Sequence, residues 1–456
     1  MVQTIKDFQA AGEKAVAKSL NKMKKEDFGI FATICENAKP VGSGSLSGVP
    51  IVLSDNISLK DIETTCRSQI LKGYIPPFDG AAVEKLKNAG AVLIGKTNMA
   101  EFGILGAAST CGPVSNPLDK TKKGGPSGSA AAVSSGIVPA AVCSDAGGLL
   151  RVSASYCGTV SFKPSYGAVS RYGLIYYAGS LEQIGVTAST VSDVVAVLDV
   201  LSGHDARDTT SLPEKINYSA KIKSGDKPLT GFKIGIPLEF LEDVDTSVLR
   251  TFEESVAVFE KLGAVCEKIS LKTASWMQPV HDIIAAGESS AMLSRYDGTR
   301  FGPRAKADNW HDMVAQTRAL FGPVVQRRIM LGVHLLTTGQ YQDYYMKSLQ
   351  IRTLIVDEFD SVFNNYDLLI SPTTNTVAPD LNGVCVGGCG FELSSYSAAM
   401  AGTDLAGLPV ATVPCGNIGH LPVGLQMMSG YLMDENVIAA ADAFEKAIDF
   451  VLPEAV

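Results

Sequence analysis

Residues 124–158, GGPSGSAAAVSSGIVPAAVCSDAGGLLRVSASYCG, gather most of the groups in this chain that could do chemistry. Ser127, Ser129, Ser144 and Ser153 offer oxygen nucleophiles, and Cys143 and Cys157 offer sulfur. A serine needs a base to take its proton, and a thiol needs a cation to lower its pKa. Neither cysteine has a histidine close in sequence, so both read as buried structural thiols. The serines read as turn and helix-cap hydroxyls. Two glycine pairs, Gly124-Gly125 and Gly147-Gly148, bracket the run. Glycine tolerates positive φ and lets other groups approach the backbone closely. The stretch therefore reads as a buried active-site floor with open backbone amides.

Elsewhere the chemistry is sparse. The nine cysteines show no paired spacing beyond Cys385-x3-Cys389, and the five histidines are scattered. That is too few ligands for a zinc site, so no metal is expected. Net charge is −8 over 456 residues, which provides no basic field for nucleic acid. No apolar run reaches the length of a membrane span, and the first residues carry no signal-peptide core. The expectation is a cytoplasmic protein with reduced thiols.

The elements that must position this floor follow from the apolar pattern. An amphipathic helix is expected over about 5–24. Buried strands are expected at 48–53 and 91–94, with a helix over 79–90 between them and Gly95-Lys96-Thr97-Asn98 at the end of the second. Small residues at 129–136 suit a helix, and 138–143 a strand. Thr190-x-x-Asp193 looks like a capping start for a helix at 191–201. Strands follow at 232–237, 264–271, 366–370, 409–414 and 424–428, with helices at 248–263 and 435–451. The segment 274–365 is mostly helical and cap-like. Alternating strands and helices predict an α/β fold: a mixed, mostly parallel central sheet covered by helices on both faces. Residues 1–456 are expected to form one domain.

The ordered words of the chain resemble the amidase signature family along nearly its whole length. They include Gly48-Val49-Pro50, Asp55-Asn56, Gly95-Lys96-Thr97-Asn98-Met99, Ser144-Asp145 with Gly147-Gly148, Arg151, Lys163-Pro164, Leu181-Glu182-Gln183-Ile184-Gly185 and Leu405-Ala406-Gly407-Leu408-Pro409. Ser170-Arg171-Tyr172-Gly173-Leu174 and Arg327-Arg328-Ile329-Met330-Leu331-Gly332 point within the family to the A subunits of glutamyl-tRNA(Gln)/aspartyl-tRNA(Asn) amidotransferases. The resemblance implies the amidase signature fold and ammonia release from glutamine. The family's relay runs from a buried Lys through a cis-Ser to a nucleophilic Ser, with an oxyanion hole of backbone N–H groups. It implies partner subunits B and C in a hetero-oligomer, tRNA reached only indirectly, and no cofactor in this chain, since ATP and Mg would belong to a partner.

The relay positions depart from the pattern. Where the family has V-P-I-x-x-K-D-N, this chain has Ser54 in place of the Lys. In Gly124-Gly125-Pro126-Ser127-Gly128-Ser129, one residue short of G-G-S-S-G-G-S, Pro126 or else Ser127 falls on the cis-serine. Leu149 replaces the nucleophile of S-D-T-G-G-S-I-R. Hydrolysis by this relay is therefore not expected, because losing one member of a catalytic unit already removes most of the rate. A cis Gly125–Pro126 bond is expected, since cis costs about 0.5–1 kcal/mol before proline against about 3 kcal/mol elsewhere. Ala146, Gly147 and Gly148 should keep the backbone of an oxyanion hole. Arg151, Arg327, Arg328 and Ser397, which stands where relatives carry a glutamine-holding Asp, are candidate ligand contacts. Lys96 reads as structural. The reading is an amidase-like scaffold, regulatory or ligand-binding pseudo-enzyme. The alternative is an active amidase or amidotransferase chain of the A type with relocated catalytic residues. A preserved pocket at Gly147, Gly148 and Arg151 would favour ligand binding, and one filled by Leu149 and Leu150 would argue against it.

Overall fold

In the computed structural model of the protein, residues 3–107, 109–219, 227–381, 397–448 and 450–453 are described. The Cys385-x3-Cys389 couple lies outside them. The strands are β1 Phe31–Ile34, β2 Pro50–Ser54, β3 Val92–Thr97, β4 Ser115–Asn116, β5 Asp119–Lys123, β6 Ala140–Asp145, β7 Val160–Lys163, β8 Gln183–Ala188, β9 Lys233–Pro237, β10 Val265–Ile269, β11 Leu368–Pro372, β12 Val410–Ile418 and β13 Leu421–Met428. The helices are α1 Ile5–Ala11, α2 Glu13–Met23, α3 Ala81–Asn88, α4 Gly128–Ser134, α5 Leu149–Cys157, α6 Val191–Leu201, α7 Thr246–Lys261, α8 Ala274–Met292, α9 Trp310–Arg318, α10 Pro323–Leu335, α11 Lys347–Phe363, α12 Ala398–Leu405 and α13 Asp434–Ala447.

Eleven strands form one sheet in the order β1-β3-β2-β6-β8-β7-β12-β13-β11-β9-β10, and β4 pairs separately with β5. The sheet is mixed. Parallel ladders join β3, β2 and β6, and again β11, β9 and β10. Every ladder from β6 through β8, β7, β12 and β13 to β11 is antiparallel. The parallel share is thus smaller than expected. Strands β12 and β13 are joined by a tight turn at Gly419, and such a hairpin can only be antiparallel.

The central strands are buried along their length, as a sheet covered on both faces requires. Alternation splits their side chains between two layers. Leu53, Val142, Leu368 and Ile370 face a core shared with α3, α6, α7 and α13. Leu369, Val410 and Met428 face the helices α8, α10, α11 and α12. Val52, Ile94 and Ala141 meet α2 and α4. The 274–365 segment is helical as expected and supplies most of the second layer.

Local signals behave as their chemistry dictates. Thr190 accepts a hydrogen bond from Asp193 N and starts α6. The expected first helix is instead two, broken at Gly12, whose φ of 57° only glycine takes freely. Strand β3 runs on through Lys96 and Thr97, because β2 beside it pairs as far as Ser54. No helix among the described residues is long and apolar enough to cross a membrane.

Candidate functional site

Strands β2, β3 and β6 run parallel, so their C-terminal ends bring Ser54, Lys96 and Asp145 to one edge of the sheet. The loop after β6 carries Ala146, Gly147 and Gly148 into α5. Gly148 turns this corner with φ 99°, and a Cβ there would stand 2.4 Å from Met400 Sδ. Only glycine lets α12 approach so closely.

Asp145 organises the loop. Its Oδ1 accepts from Gly147 N at 3.2 Å and Gly148 N at 2.7 Å, and its Oδ2 accepts from Arg151 N at 3.3 Å. Arg151, fully buried, donates Nε to Asp145 Oδ2 at 3.0 Å, Nη1 to Thr403 Oγ1 at 2.9 Å and Nη2 to both Asp404 oxygens at 2.8 Å. Lys163 Nζ lies 3.4 Å from Asp404 Oδ1 and donates to Leu408 O at 2.8 Å. Burial alone would raise the Asp145 carboxyl, but the Arg151 guanidinium overcomes it and holds the group at about 2. Burial would lower Arg151, and the Asp145 and Asp404 carboxylates outweigh it and raise it. Burial draws the Lys163 amine below its ordinary value, against the pull of Asp404.

This arrangement corrects two expectations. Every nitrogen of the Arg151 guanidinium meets a protein acceptor, so Arg151 is a strut of the frame, not a ligand contact. The Gly147 and Gly148 N–H groups are turned onto Asp145, and the Ala146 carbonyl accepts from Tyr177 OH at 2.8 Å and His281 Nε2 at 2.9 Å. The loop keeps its glycine corner, with the amides of Gly147 and Gly148 already used.

Leu149 stands at the head of α5, 2 % exposed, and packs with Met99, Ala100 and Leu105. Leu150, 1 % exposed, packs instead against Gly185 of β8, and a cavity of about 270 Å³ lies beside the loop, lined among others by Met99, Ala100, Gly125 and Pro126. Ser54 is fully buried and donates its hydroxyl to Met99 Sδ at 3.3 Å. A Cβ placed on Gly103 would meet Met99 Cε at 3.5 Å, Glu182 Oε1 at 3.8 Å and Leu149 Cδ2 at 4.0 Å, so these three converge on one spot. Glu182 Oε1 accepts from Ser144 Oγ at 2.6 Å and Asn56 Nδ2 at 3.3 Å, and its Oε2 accepts from Tyr177 N at 3.2 Å. Burial pushes the Glu182 carboxyl up to about 8, with Ser144 and Tyr177 opposing.

The serine loop differs from expectation as well. No peptide bond is cis among the described residues, so Gly125–Pro126 is trans. Gly125 makes the turn instead with φ 104°, and a Cβ there would sit 2.6 Å from Ser153 Cα. The Pro126 carbonyl accepts from Ala100 N at 2.8 Å, which ties the loop to β3's exit. Ser127 caps α4 by accepting from Ser129 N at 3.2 Å, and its hydroxyl donates to Ser129 Oγ at 3.1 Å. Ser129 Oγ in turn meets Thr97 Oγ1 at 2.9 Å. This hydroxyl chain contains no base.

Lys96 is buried in an ion pair, 3.2 Å from Asp55 Oδ1, and donates to Thr64 Oγ1 at 2.6 Å. Burial raises the Cys143 and Cys157 thiols, the opposite of what a nucleophile needs. Ser397 caps α12, its hydroxyl oxygen accepting from Met400 N. Arg327 is exposed, whereas Arg328 is 7 % exposed and paired with Asp282. Sequence reasoning assigned no role to Met99, Glu182, His281 or Asp282. Glu182 and Met99 lie within family motifs, and the polar His281-Asp282 step followed by the apolar run Ile283–Ala286 was the available signal.

Known proteins share this frame. The family model Amidase matches residues 23–438. The A subunit of the glutamyl-tRNA(Gln) amidotransferase of Methanococcoides burtonii is 45% identical over 89% of this chain and 86% of its own length. That of Methanosarcina mazei is 40% identical over 97% and 95%. Among solved structures, the corresponding glutamyl-tRNA(Gln) amidotransferase chain from Thermotoga maritima superposes with a TM-score of 0.84 at 33% identity, covering 100% of this chain and 98% of that one. The peptide amidase of Stenotrophomonas maltophilia gives 0.84 at 25% identity over 99% and 98%. With a family model matched over residues 23–438 and relatives of 40–45% identity over most of its length, the chain belongs to the amidase family.

Proposed function

We propose that this chain takes the A position of a glutamyl-tRNA(Gln) amidotransferase-type assembly, beside subunits B and C, and that its own amidase centre does not hydrolyse amides. The similarity to relatives bearing that name supports the first part. One observation carries the second. At the head of α5 a leucine, Leu149, packs on Met99, and Ser54 at the end of β2 spends its hydroxyl on the same methionine sulfur. Attack on an amide needs a lone pair at the first place and a base near the second, and neither is present. The chain then serves as scaffold or regulator, with ATP, Mg and the tRNA handled by its partners.

A second reading is an active amidotransferase chain whose catalytic groups have moved. Identity of 40–45% over most of the chain to relatives named as amidotransferase subunits favours it. Its best candidates are Ser144 and Glu182, a hydroxyl and a carboxyl 2.6 Å apart beside Leu149. A carboxyl near 8 is mostly protonated at neutral pH, which counts against it as a base.

The deciding experiment measures ammonia release from glutamine by the unmodified chain, alone and assembled with subunits B and C. Release above background in either case rules out the non-hydrolytic reading. Ser144→Ala and Glu182→Gln then test whether that pair is responsible. The companion chain carrying Ser54→Lys, Pro126→Ser and Leu149→Ser tests whether the frame can still support the family reaction.

A further inference from the structure

Four arginines are buried among the described residues, and three of them, Arg151, Arg171 and Arg328, lie against an aspartate. The fourth, Arg67, is 7 % exposed and meets no carboxylate with its guanidinium. Its Nε is buried without a hydrogen-bond partner, and its Nη2 donates to the Sγ of Cys111, an exposed free thiol. A buried cation is costly unless a negative charge compensates it. Here the atom placed to carry that charge is a sulfur, and the thiolate is also the nucleophilic form of cysteine. The pairing is fixed from both sides. Arg67 N donates to Asp55 Oδ2 at 3.3 Å and to Thr65 Oγ1 at 3.1 Å, and Thr110 N donates to Arg67 O at 3.2 Å. Ser109 and Gly112, on either side of Cys111 in the chain, line the cavity beside the glycine loop. The sulfur is thus open to a dissolved reagent while its cation is shielded from water. Cys66, Cys143 and Cys157 are the opposite case, since they are buried and burial pushes their thiols up.

We propose that Cys111 is a modification site, a thiol that Arg67 holds for exchange with low-molecular-weight disulfides. In that step the Cys111 thiolate attacks one sulfur of the disulfide. A mixed disulfide forms on Cys111 as the original S–S bond breaks, and the second sulfur leaves as a thiolate that takes up, through solvent, the proton Cys111 gave up. The Cys111 sulfur is oxidised and the departing sulfur is reduced, so no other oxidant enters. The adduct stands at the rim of the cavity. This inference is independent of whether the amidase centre hydrolyses amides.

The test treats the full chain with oxidised glutathione at about pH 7 and follows each cysteine over time by peptide mass mapping. Circular dichroism checks that each variant is folded. Cys111 is expected to form the mixed disulfide ahead of Cys35, Cys66, Cys143, Cys157, Cys266 and Cys415. Arg67→Gln should slow exchange at Cys111 about three- to tenfold, because the cation that favours the thiolate is gone while each remaining thiolate is intrinsically more nucleophilic. At about pH 10, where an ordinary thiol ionises without help, the variant should exchange as fast as the parent or faster. Arg67→Lys, which keeps the charge, should recover part of the loss. A Cys111 that reacts no sooner than those six cysteines overturns the inference. So does a folded Arg67→Gln chain that is unchanged at the lower pH, or slowed equally at both, since equal slowing marks a structural role alone. Should Arg67→Gln fail to fold, the parent decides by itself: first place for Cys111 supports the inference and any later place sinks it.

Discussion

Two neighbouring regions of the loop after β6 carry opposite chemistries. On one side, Asp145, Arg151, Asp404 and Lys163 form a buried network in which opposite charges lie within 3.4 Å of one another. On the other, only a few residues away, Leu149, Met99, Ala100 and Leu105 form a small apolar cluster. The first is the frame that sets the glycine corner. The second packs the head of α5 against the exit of β3. Under the non-hydrolytic reading proposed above, frame and reactivity are separable, and the charges that shape the backbone stand apart from the residues that pack at the head of α5. Buried charges are costly to leave unpaired, so the network resists piecemeal change. Leu149, by contrast, contributes through apolar burial.

The largest test of this contrast is Arg151→Met. It strands Asp145 and Asp404 without their shared cation, and a loss of about 3–5 kcal/mol in denaturant unfolding is expected. A loss under about 1 kcal/mol would mean that the network does not support the corner. Leu149→Ala probes the apolar side, where opening a cavity among Met99, Ala100 and Leu105 should cost roughly 3 kcal/mol. Ammonia release should stay at background in this variant, so activity appearing with it would undo the separation.

Glu182 stands at the border of the two regions and gives a pH test. Its folded pKa of about 8 lies above the ordinary carboxylate value of 4.5. The folded state thus holds a proton that the unfolded state releases between these values. The stability it contributes is complete below about pH 4.5 and is lost as pH rises towards 8. Glu182→Gln keeps the group neutral, so the melting temperature of the variant minus that of the parent should grow as pH rises from about 5 to about 8. A difference independent of pH would show that Glu182 is ionised throughout. The smallest effect belongs to Ser54→Ala, which removes one weak hydroxyl–sulfur contact and should change stability by no more than about 1 kcal/mol in unfolding titrations. A larger cost would give Ser54 a structural weight that the contact does not explain.

Much of this was legible in the chain itself. The buried strands 48–53 and 232–237 fall within two or three residues of β2 and β9, since short apolar runs between turn residues leave few alternatives. Thr190 marked the start of α6 because its partner is only three residues away. The departures expected at Ser54, Pro126 and Leu149 rest on the motif resemblance. The share of parallel pairing was harder to see, since strand direction depends on where distant connections return. That Ser397 caps α12 was not foreseen, because a serine before a helix is suited to capping as well as to holding a ligand.

The sequence by itself determined the family and the order of elements, because those rest on residue identity and near-neighbour spacing. Tertiary structure alone decided what the remaining groups do. Arg151 meets Asp404 across 253 positions of sequence, and Gly322-capped α10 must lie against α8 before Arg328 can find Asp282. The Gly147 and Gly148 amides turn onto Asp145 only once β6 and α5 are both in place. Ionic and hydrogen-bond partners are chosen by proximity in the folded chain, and a buried polar group takes whichever partner packing brings within reach. In residues 124–158 that choice turned the Gly147 and Gly148 amides inward onto Asp145.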